Sequence, residues 1–489
     1  MLFNSFEFIC IFFPLVTGLY FVLPHRWRWL LLLVASCWFY MTFVPVYILI
    51  LAFTILVDYF AGLWIERSEG RRRKLLLTAS IVANVGVLAF FKYFNFLNES
   101  IAALVRGLGF NYGVPDLGIL LPIGLSFHTF QSLSYTIEVY RGHQQAERRP
   151  GIFALYVMFY PQLVAGPIER PANLLNQINS RTEGTGMRAR FDADRVIEGL
   201  KQMLWGFFKK LVIADRCAVV VDQVYNAPDH YGALSIALAT YLFAVQIYCD
   251  FSGYTDIALG AARVMGFNLM VNFRTPYLSR NISEFWSRWH ISLSSWFRDY
   301  LYIPLGGNRV VKWRWYYNLL VVFLVSGLWH GADWTYVIWG GLHGSYLILA
   351  IVFAPLLARI TKGIGLDALP KAKRWLNIFI TVQLASFAWI FFRAANIHDA
   401  STLIHRLFGT AATLDDLRAL YKELPRGMLD VTVLLTLLFM AMDPVVDAWV
   451  KREKAAPRGL WGTMAYAALL VGILLFGYFG ATSFIYFQF

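Results

Sequence analysis

Apolar runs close to the roughly 20 residues a helix needs to cross a bilayer recur from Phe6–Leu23 through Ala465–Phe479, with basic clusters between them. In lipid every backbone N–H and C=O must be satisfied within the protein, and a helix does this inside one segment. The repetition therefore predicts an all-α polytopic membrane protein rather than a string of soluble domains. Composition agrees: of 489 residues, 58% are hydrophobic and 15% charged, against about 25% charged in a soluble domain. A net charge of +13 would ordinarily suggest a nucleic-acid partner. Here the Lys and Arg sit in short loops between apolar runs, where the positive-inside rule puts them, so no nucleic acid is expected.

The basic clusters also set an orientation. Arg26 and Arg28 follow the first run, which puts that loop in the cytoplasm and the N-terminus outside. "ERSEGRRRK" (66–74) and "RGHQQAERR" (141–149) mark two more cytoplasmic loops, and "KAKR" (371–374) and "KREK" (451–454) mark the last two. About eleven spans result, fewer if some segments only dip in. Residues 393–427 are polar enough to form an external amphipathic segment, and the C-terminal "FIYFQF" (484–489) ends outside as an aromatic tail. The first run lacks a basic n-region and a small-residue cleavage pattern, so it is expected to be retained. Cys10, Cys37, Cys217 and Cys249 lie in or beside apolar segments with no C-x-x-C pair. That pattern reads as buried thiols, not as a disulfide framework or a zinc site.

The middle of the chain is less regular. "YPQLVAGPIERP" (160–171) interrupts an apolar run with prolines, and residues 274–309 mix Arg, Ser, Asn and Trp too densely for a lipid-facing span. The latter reads as one or two amphipathic or re-entrant helices on the cytoplasmic side.

Ionisable residues inside such sequence are functional candidates, because an unpaired charge there costs several kcal/mol. In "SGLWHGADWTYVIWGGLHG" (326–344), His330 is a base that needs no charge until it takes a proton. On one helix Asp333, three residues on, shares its face and would orient the imidazole. Gly327 and Gly331 would let backbone approach closely or break the helix. The competing reading is a structural histidine hydrogen-bonded between helices. In a continuous helix His343 stands about 20 Å along the axis and roughly 140° round from His330, so it is expected to pack rather than share a metal. His290, with Glu284, Arg288, Arg298 and Asp299 around it, belongs either to an interfacial helix or to a basic, Trp-rich surface for an anionic donor. Asp250 and Asp256 in "YCDFSGYTDIALG" are about 120° from alignment, poor geometry for paired carboxylates. They are expected to pair with Arg263 or with basic residues of 274–298. No G-x-S-x-G elbow and no Walker A loop is present.

Read in order, "LPIGLSFHTFQSLSY", "PQLVAGPI", "DFSGYTDIALG", "SEFWSRWHISLSSWFRDYLYIPLGGNR" and "SGLWHGADWTYVIWGGLHG" resemble the membrane-bound O-acyltransferase family. The likeness is to its bacterial polysaccharide branch, which includes the membrane subunit of alginate O-acetylation. The C-terminal "FIYFQF" resembles the same branch. The resemblance implies one membrane-embedded domain over 1–489, a ring of tilted helices around a central tunnel, in the bacterial inner membrane with both termini periplasmic. It implies His330 as the catalytic histidine and His290 as a second polar position toward the cytoplasm. Trp286, Trp289, Arg288, Trp329 and Asp333 are the expected donor-tunnel residues. No bound cofactor and no metal is expected; the donor is acetyl-CoA or another acyl thioester. The acceptor is an alginate- or cellulose-like exopolysaccharide. A periplasmic serine-hydrolase-like protein, recruited in part by the C-terminal tail, and a polysaccharide synthesis complex are the expected partners. The alternatives are D-alanyl transfer to teichoic acid or, outside the family, a polysaccharide or lipid-linked sugar exporter.

The orientation is directly testable. Alkaline phosphatase fused after Lys74 should be inactive and fused after Gly113 active, and the reverse pattern of enzyme activity would overturn the assignment.

Overall fold

A computed structural model describes residues 1–118, 121–163, 166–179, 184–451, 459–480 and 484–485, without side chains for 447–451 and 461. The described residues are helices and connecting segments with no strand. Among the described residues, six helices are long and apolar enough to cross a membrane: Pro45–Glu66, Gly70–Gly107, Ala233–Val264, Trp334–Gly363, Pro370–Arg393 and Met428–Val446. Two shorter apolar helices cover Glu7–Val22 and Gly462–Phe476. The sequence count of about eleven also included runs that fold as shorter helices, such as Pro150–Met158. "KREK" beyond Lys451 and tail residues 486–489 lie outside the described residues.

The chain forms two compact units, Met1–Met203 with Tyr254–Met270, and Leu204–Gly253 with Val271–Phe489. In the first, Gly62 lets its helix meet the Tyr135 ring, 2.6 Å from where a Cβ would stand. The Leu125–Arg141 helix starts after left-handed Gly124 and stops at left-handed Gly142. At that stop the Gly142 and His143 N–H groups bond back to Val139 and Glu138, closing a glycine-terminated C-cap. Of the four cysteines, Cys217 and Cys249 are buried as expected, whereas Cys37 is half-buried and Cys10 exposed.

The second unit is organised by a helical hairpin, Lys312–His330 and Trp334–Gly363. Its two helices touch through glycine. A Cβ on Gly327 would stand 2.2 Å from the Tyr336 carbonyl oxygen, one on Gly340 2.3 Å from that of Phe323, and one on Gly344 3.2 Å from Leu320. Small residues at such spacing let membrane helices pack backbone to backbone, where dispersion is the main attraction. The polar 274–309 region folds as two short helices, Ile282–Arg288 and Ile291–Phe297, followed by a π-turn at Arg298–Tyr302. Asn281 caps the first by accepting the Glu284 N–H at 2.8 Å.

The 393–427 segment forms two amphipathic helices, Ile397–Gly409 and Leu414–Glu423. Asp416 fastens them by accepting the N–H groups of Gly232 and Ser235, each at 2.9 Å. Glu423 accepts from Gln223 at 3.0 Å, lies 3.0 Å from the His230 ring nitrogen, and takes a further hydrogen bond from Tyr231. The Tyr231 and His230 hydrogen bonds hold the Glu423 carboxyl below its usual range.

The glycine contact predicts a paired result. Gly340→Ala should lower stability by about 1–3 kcal/mol through backbone overlap. Gly341→Ala, whose nearest neighbour is a Leu324 methyl at 3.8 Å, should be neutral or slightly stabilising. Thermal unfolding in detergent measures both, and equal effects would refute the backbone-contact account.

Candidate active site

His330 is the last residue of the first hairpin helix, and the chain leaves it through Gly331 in extended conformation. A Cβ on Gly331 would fall 2.0 Å from the Tyr336 ring, so any larger residue here would displace that ring. The ring of His330, 3% exposed, lies edge-to-face with Trp329 at 4.8 Å, Trp339 at 5.0 Å and Phe392 at 5.3 Å. These three rings come from both hairpin helices and from Pro370–Arg393. They hold the imidazole in an apolar enclosure.

The hairpin changes two expectations. His330 and Asp333 do not share a helix face, because the helix ends between them. Asp333 instead caps the next helix, its carboxylate accepting the Thr335 N–H at 2.8 Å. His343 is not remote either, since the reversal of direction brings it onto the same indole as His330. Trp339 contacts His343 at 5.0 Å and stacks on Trp389 at 5.9 Å. The Trp286 indole N–H donates to His343 Nδ1 at 3.3 Å. His343 Nε2 is buried with no hydrogen-bond partner among the described residues.

His290 joins the same unit from the break between the two short helices. It is fully buried and adopts left-handed backbone, φ 42° and ψ 55°. An L-residue there carries roughly 1–2 kcal/mol of strain. Asn272 supports the turn: its carbonyl accepts from Ile291 N–H at 2.9 Å and its side-chain oxygen from Ser292 N–H at 3.2 Å. The imidazole stands edge-on to Phe251 at 4.6 Å and 6.1 Å from Trp329. Trp329 thus touches both histidines.

The remaining expected donor residues divide. Trp286 reaches His343, as above. Trp289 stacks on Phe285 at 5.5 Å and meets Trp389 at 5.1 Å, so it is packed among rings rather than set at an open entrance. Arg288 is committed to Glu284 at 2.6 Å, and Arg280 binds the other oxygen of the same carboxylate at 3.0 Å. Partial burial raises the Glu284 carboxyl, but hydrogen bonds from Arg280 and the charge of Arg288 outweigh it and leave the group below its ordinary range.

Asp250 finds a different cation from the ones expected. Lys210 bridges Asp215 at 2.8 Å and Asp250 at 2.6 Å, all three buried. Lys210 lies in a π-helical stretch, Phe208–Ala214, whose other lysine, Lys209, donates to Ser252 Oγ at 2.9 Å. Asp250 also accepts the Ile485 N–H at 2.7 Å, and Phe484 lies against Phe251 at 5.8 Å. The first two residues of the C-terminal tail are therefore buried in their own unit. Asp256, in the first unit, accepts from Gln202 at 3.1 Å. The sequence signal for Lys210 was present: "GFFKKLVIAD" sets two lysines into an apolar run, which membrane burial permits only with partners. Among the described residues no three of His, Cys, Asp and Glu are grouped to hold a metal.

A membrane-embedded helical protein with a buried histidine in an aromatic enclosure, broken out of a glycine-packed hairpin, is the class so defined. The model of the membrane-bound O-acyltransferase family matches residues 129–391, which hold His290, His330 and His343, and the chain belongs to that family. It is 38% identical to a probable alginate O-acetylase of Azotobacter vinelandii over 94% of this chain and 88% of the relative. With a probable alginate O-acetylase of Pseudomonas putida it shares 40% over 83% of this chain and 80% of the relative. A peptidoglycan O-acetyltransferase of Helicobacter pylori is 32% identical over 84% of this chain and 80% of the relative. The protein is thus a membrane acyltransferase, and the exporter alternative falls.

The cap assignment separates Asp333 from the chemistry. Asp333→Ala should cost about 1 kcal/mol of stability, and Asp333→Asn or Asp333→Ser only a few tenths, with turnover per folded molecule close to wild type in all three. A loss of turnover in Asp333→Asn at unchanged stability would restore the His–Asp pairing.

Proposed function

We propose that this acyltransferase takes an acetyl group from a cytoplasmic thioester, acetyl-CoA, and delivers it for O-acetylation of an extracytoplasmic exopolysaccharide of the alginate or cellulose kind. The observation that carries the reading is His330, buried among three aromatic rings inside the family-matched segment of a chain whose near-full-length relatives are named O-acetylases. D-alanyl transfer to teichoic acid has no feature in its favour beyond shared membership of the family.

In the proposed reaction the acceptor hydroxyl comes to the His330 imidazole. As its oxygen attacks the thioester carbonyl carbon, the imidazole takes the hydroxyl proton. The C–S bond then breaks, and the proton held by His330 goes to the departing thiolate, leaving an O-acetyl ester and a free thiol. Histidine suits this task because an imidazole can take and return a proton near neutral pH. Trp339, fixed between the two imidazoles, sets the plane of His330, and Trp329 couples its position to that of His290. Donor entry past His290 and Trp286 through an intramembrane tunnel, residence in the inner membrane, and onward transfer by a periplasmic serine-hydrolase-like partner complete the proposal. Because Arg280 and Arg288 are shared with Glu284, donor phosphates would have to compete with that carboxylate for them.

His330→Ala should lower acetyl transfer from labelled acetyl-CoA by about 10²–10⁴-fold, the usual worth of a positioned base, with expression and unfolding temperature kept. His343→Gln should retain most turnover. Wild-type-like acetylation by a folded His330→Ala protein would end this reading, and transfer of D-alanine in preference to acetyl would redirect it.

A further inference from the structure

Trp339 is fully buried in the aromatic enclosure, and its indole carries a single hydrogen-bond donor, the Nε1–H, and no acceptor. Two other indoles lie against it, Trp286 at 5.7 Å and Trp389 at 5.9 Å between ring centres. Both have spent their donors. Trp286 donates to His343 Nδ1 at 3.3 Å, and Trp389 donates to the Tyr277 hydroxyl at 3.2 Å. Trp339 Nε1 is buried with no hydrogen-bond partner among the described residues.

A buried tryptophan N–H usually finds an acceptor, because leaving it bare gives up its bond to water and puts nothing in its place. Phenylalanine would fill apolar space here without that loss. An unpaired buried donor calls for a cause, and a catalytic role is one such cause. The neighbour on the other side of the ring supplies it. The His330 imidazole meets the Trp339 ring at 83°, with centres 5.0 Å apart. Packing fixes the indole in that position, with Trp389 stacked on it at 24° and Phe392 against it at 5.2 Å.

Attack of a hydroxyl on a thioester puts negative charge on the carbonyl oxygen. Three short links join the groups involved. They are about 2.6–3.2 Å from base to hydroxyl, about 3–3.5 Å from hydroxyl oxygen to carbonyl carbon, and about 2.7–3.1 Å from donor to oxyanion. A free donor on the ring next to the base suits that circuit, whereas the N–H groups of Trp286 and Trp389 are already engaged.

We propose that the Trp339 Nε1–H is the oxyanion donor of the acyl-transfer site, a role that rests on the acyl transfer proposed above. As the acceptor oxygen bonds to the carbonyl carbon and His330 takes its proton, the C=O π pair moves onto the carbonyl oxygen. That oxygen accepts the hydrogen bond from Trp339. When the C–S bond breaks, the pair returns to the carbonyl and His330 gives its proton to the thiolate. The indole keeps its own proton throughout. A donor fixed before the substrate arrives needs no reorganisation as the charge develops, and its bond is stronger in an apolar enclosure than in water.

The test puts benzothienylalanine in place of Trp339 in the full-length protein, so that sulfur stands where the N–H was and the ring keeps its shape. Thiol release from acetyl-CoA, with alginate oligosaccharide as acceptor, should fall about 10²–10³-fold in kcat, the usual worth of one oxyanion donor. KM for acetyl-CoA should stay within about twofold, as for an interaction made only in the transition state. The unfolding midpoint in detergent should hold or rise, because a donor without a partner adds nothing to the fold. Trp339→Phe, which also lacks the N–H, should lose at least as much turnover. A role confined to packing, or to setting the plane of His330, leaves the benzothienyl protein fully active, and that result would overturn the donor. A midpoint that falls with turnover would overturn it too, by showing that the N–H serves the fold. Wild-type protein that releases no thiol, or folded His330→Ala that does so at the wild-type rate, would end the acyl-transfer reading and the donor with it.

Discussion

The reversal of the chain at Gly331–Asp333 is the constraint on which the rest of the active unit depends. A helix that ends amid apolar side chains leaves its final carbonyls and the next helix's first N–H groups in need of partners. Here Gly331 turns the chain with no side chain in the way, and the Asp333 carboxylate takes the Thr335 N–H. The glycine faces of the two helices then bring their backbones together, so the Trp339 indole lies between His330 and His343. Remove the turn and the two histidines return to the separate faces that a straight helix would give them. Polar groups in this region therefore answer first to the backbone, as Asp333 does, and His330 is the one proposed as the base.

Much of this was legible in the sequence. The recurrence of apolar runs gives the helical membrane fold. The mixed composition of 274–309 gives short broken helices in place of a span, and the two glycines beside His330 mark a point of close approach or helix break. What misled was the assumption that the stretch 326–344 was one helix. An i, i+3 spacing carries no information across a break, so Asp333 looked like a partner for His330 when it was an N-cap. Aspartate three residues past a histidine and just before a tryptophan fits both patterns. The second was the stronger signal, because Gly331 stood between the two.

The charges whose partners were missed share a different cause. Asp58, Lys210 and Asp250 all sit in apolar runs, and each run read alone looks like an ordinary span with one flaw. Their partners are on other helices: Ser80 and Asn84 for Asp58, Lys210 for Asp250, and the Ile485 N–H from the far end of the chain. Sequence windows see neighbours along one helix, whereas membrane burial pairs polar groups across helices. For that reason the expectation that Asp250 is structurally paired was right in kind and wrong in partner. The burial of Phe484 and Ile485 was hidden for the same reason, since nothing adjacent to them in sequence announces the aspartate that holds Ile485.

The left-handed backbone of His290 bears on how this enzyme tolerates change. Glycine would adopt the same φ and ψ without strain, a relief of roughly 1–2 kcal/mol. It would also leave a hole beside Phe251 and Trp329, and deleting a buried ring costs about 3 kcal/mol or more. The packed ring thus outweighs the strain of its own backbone, and a search for thermal robustness would gain nothing from glycine here. Stabilising this protein for preparation is safest at positions well away from the turn that Asn272 supports.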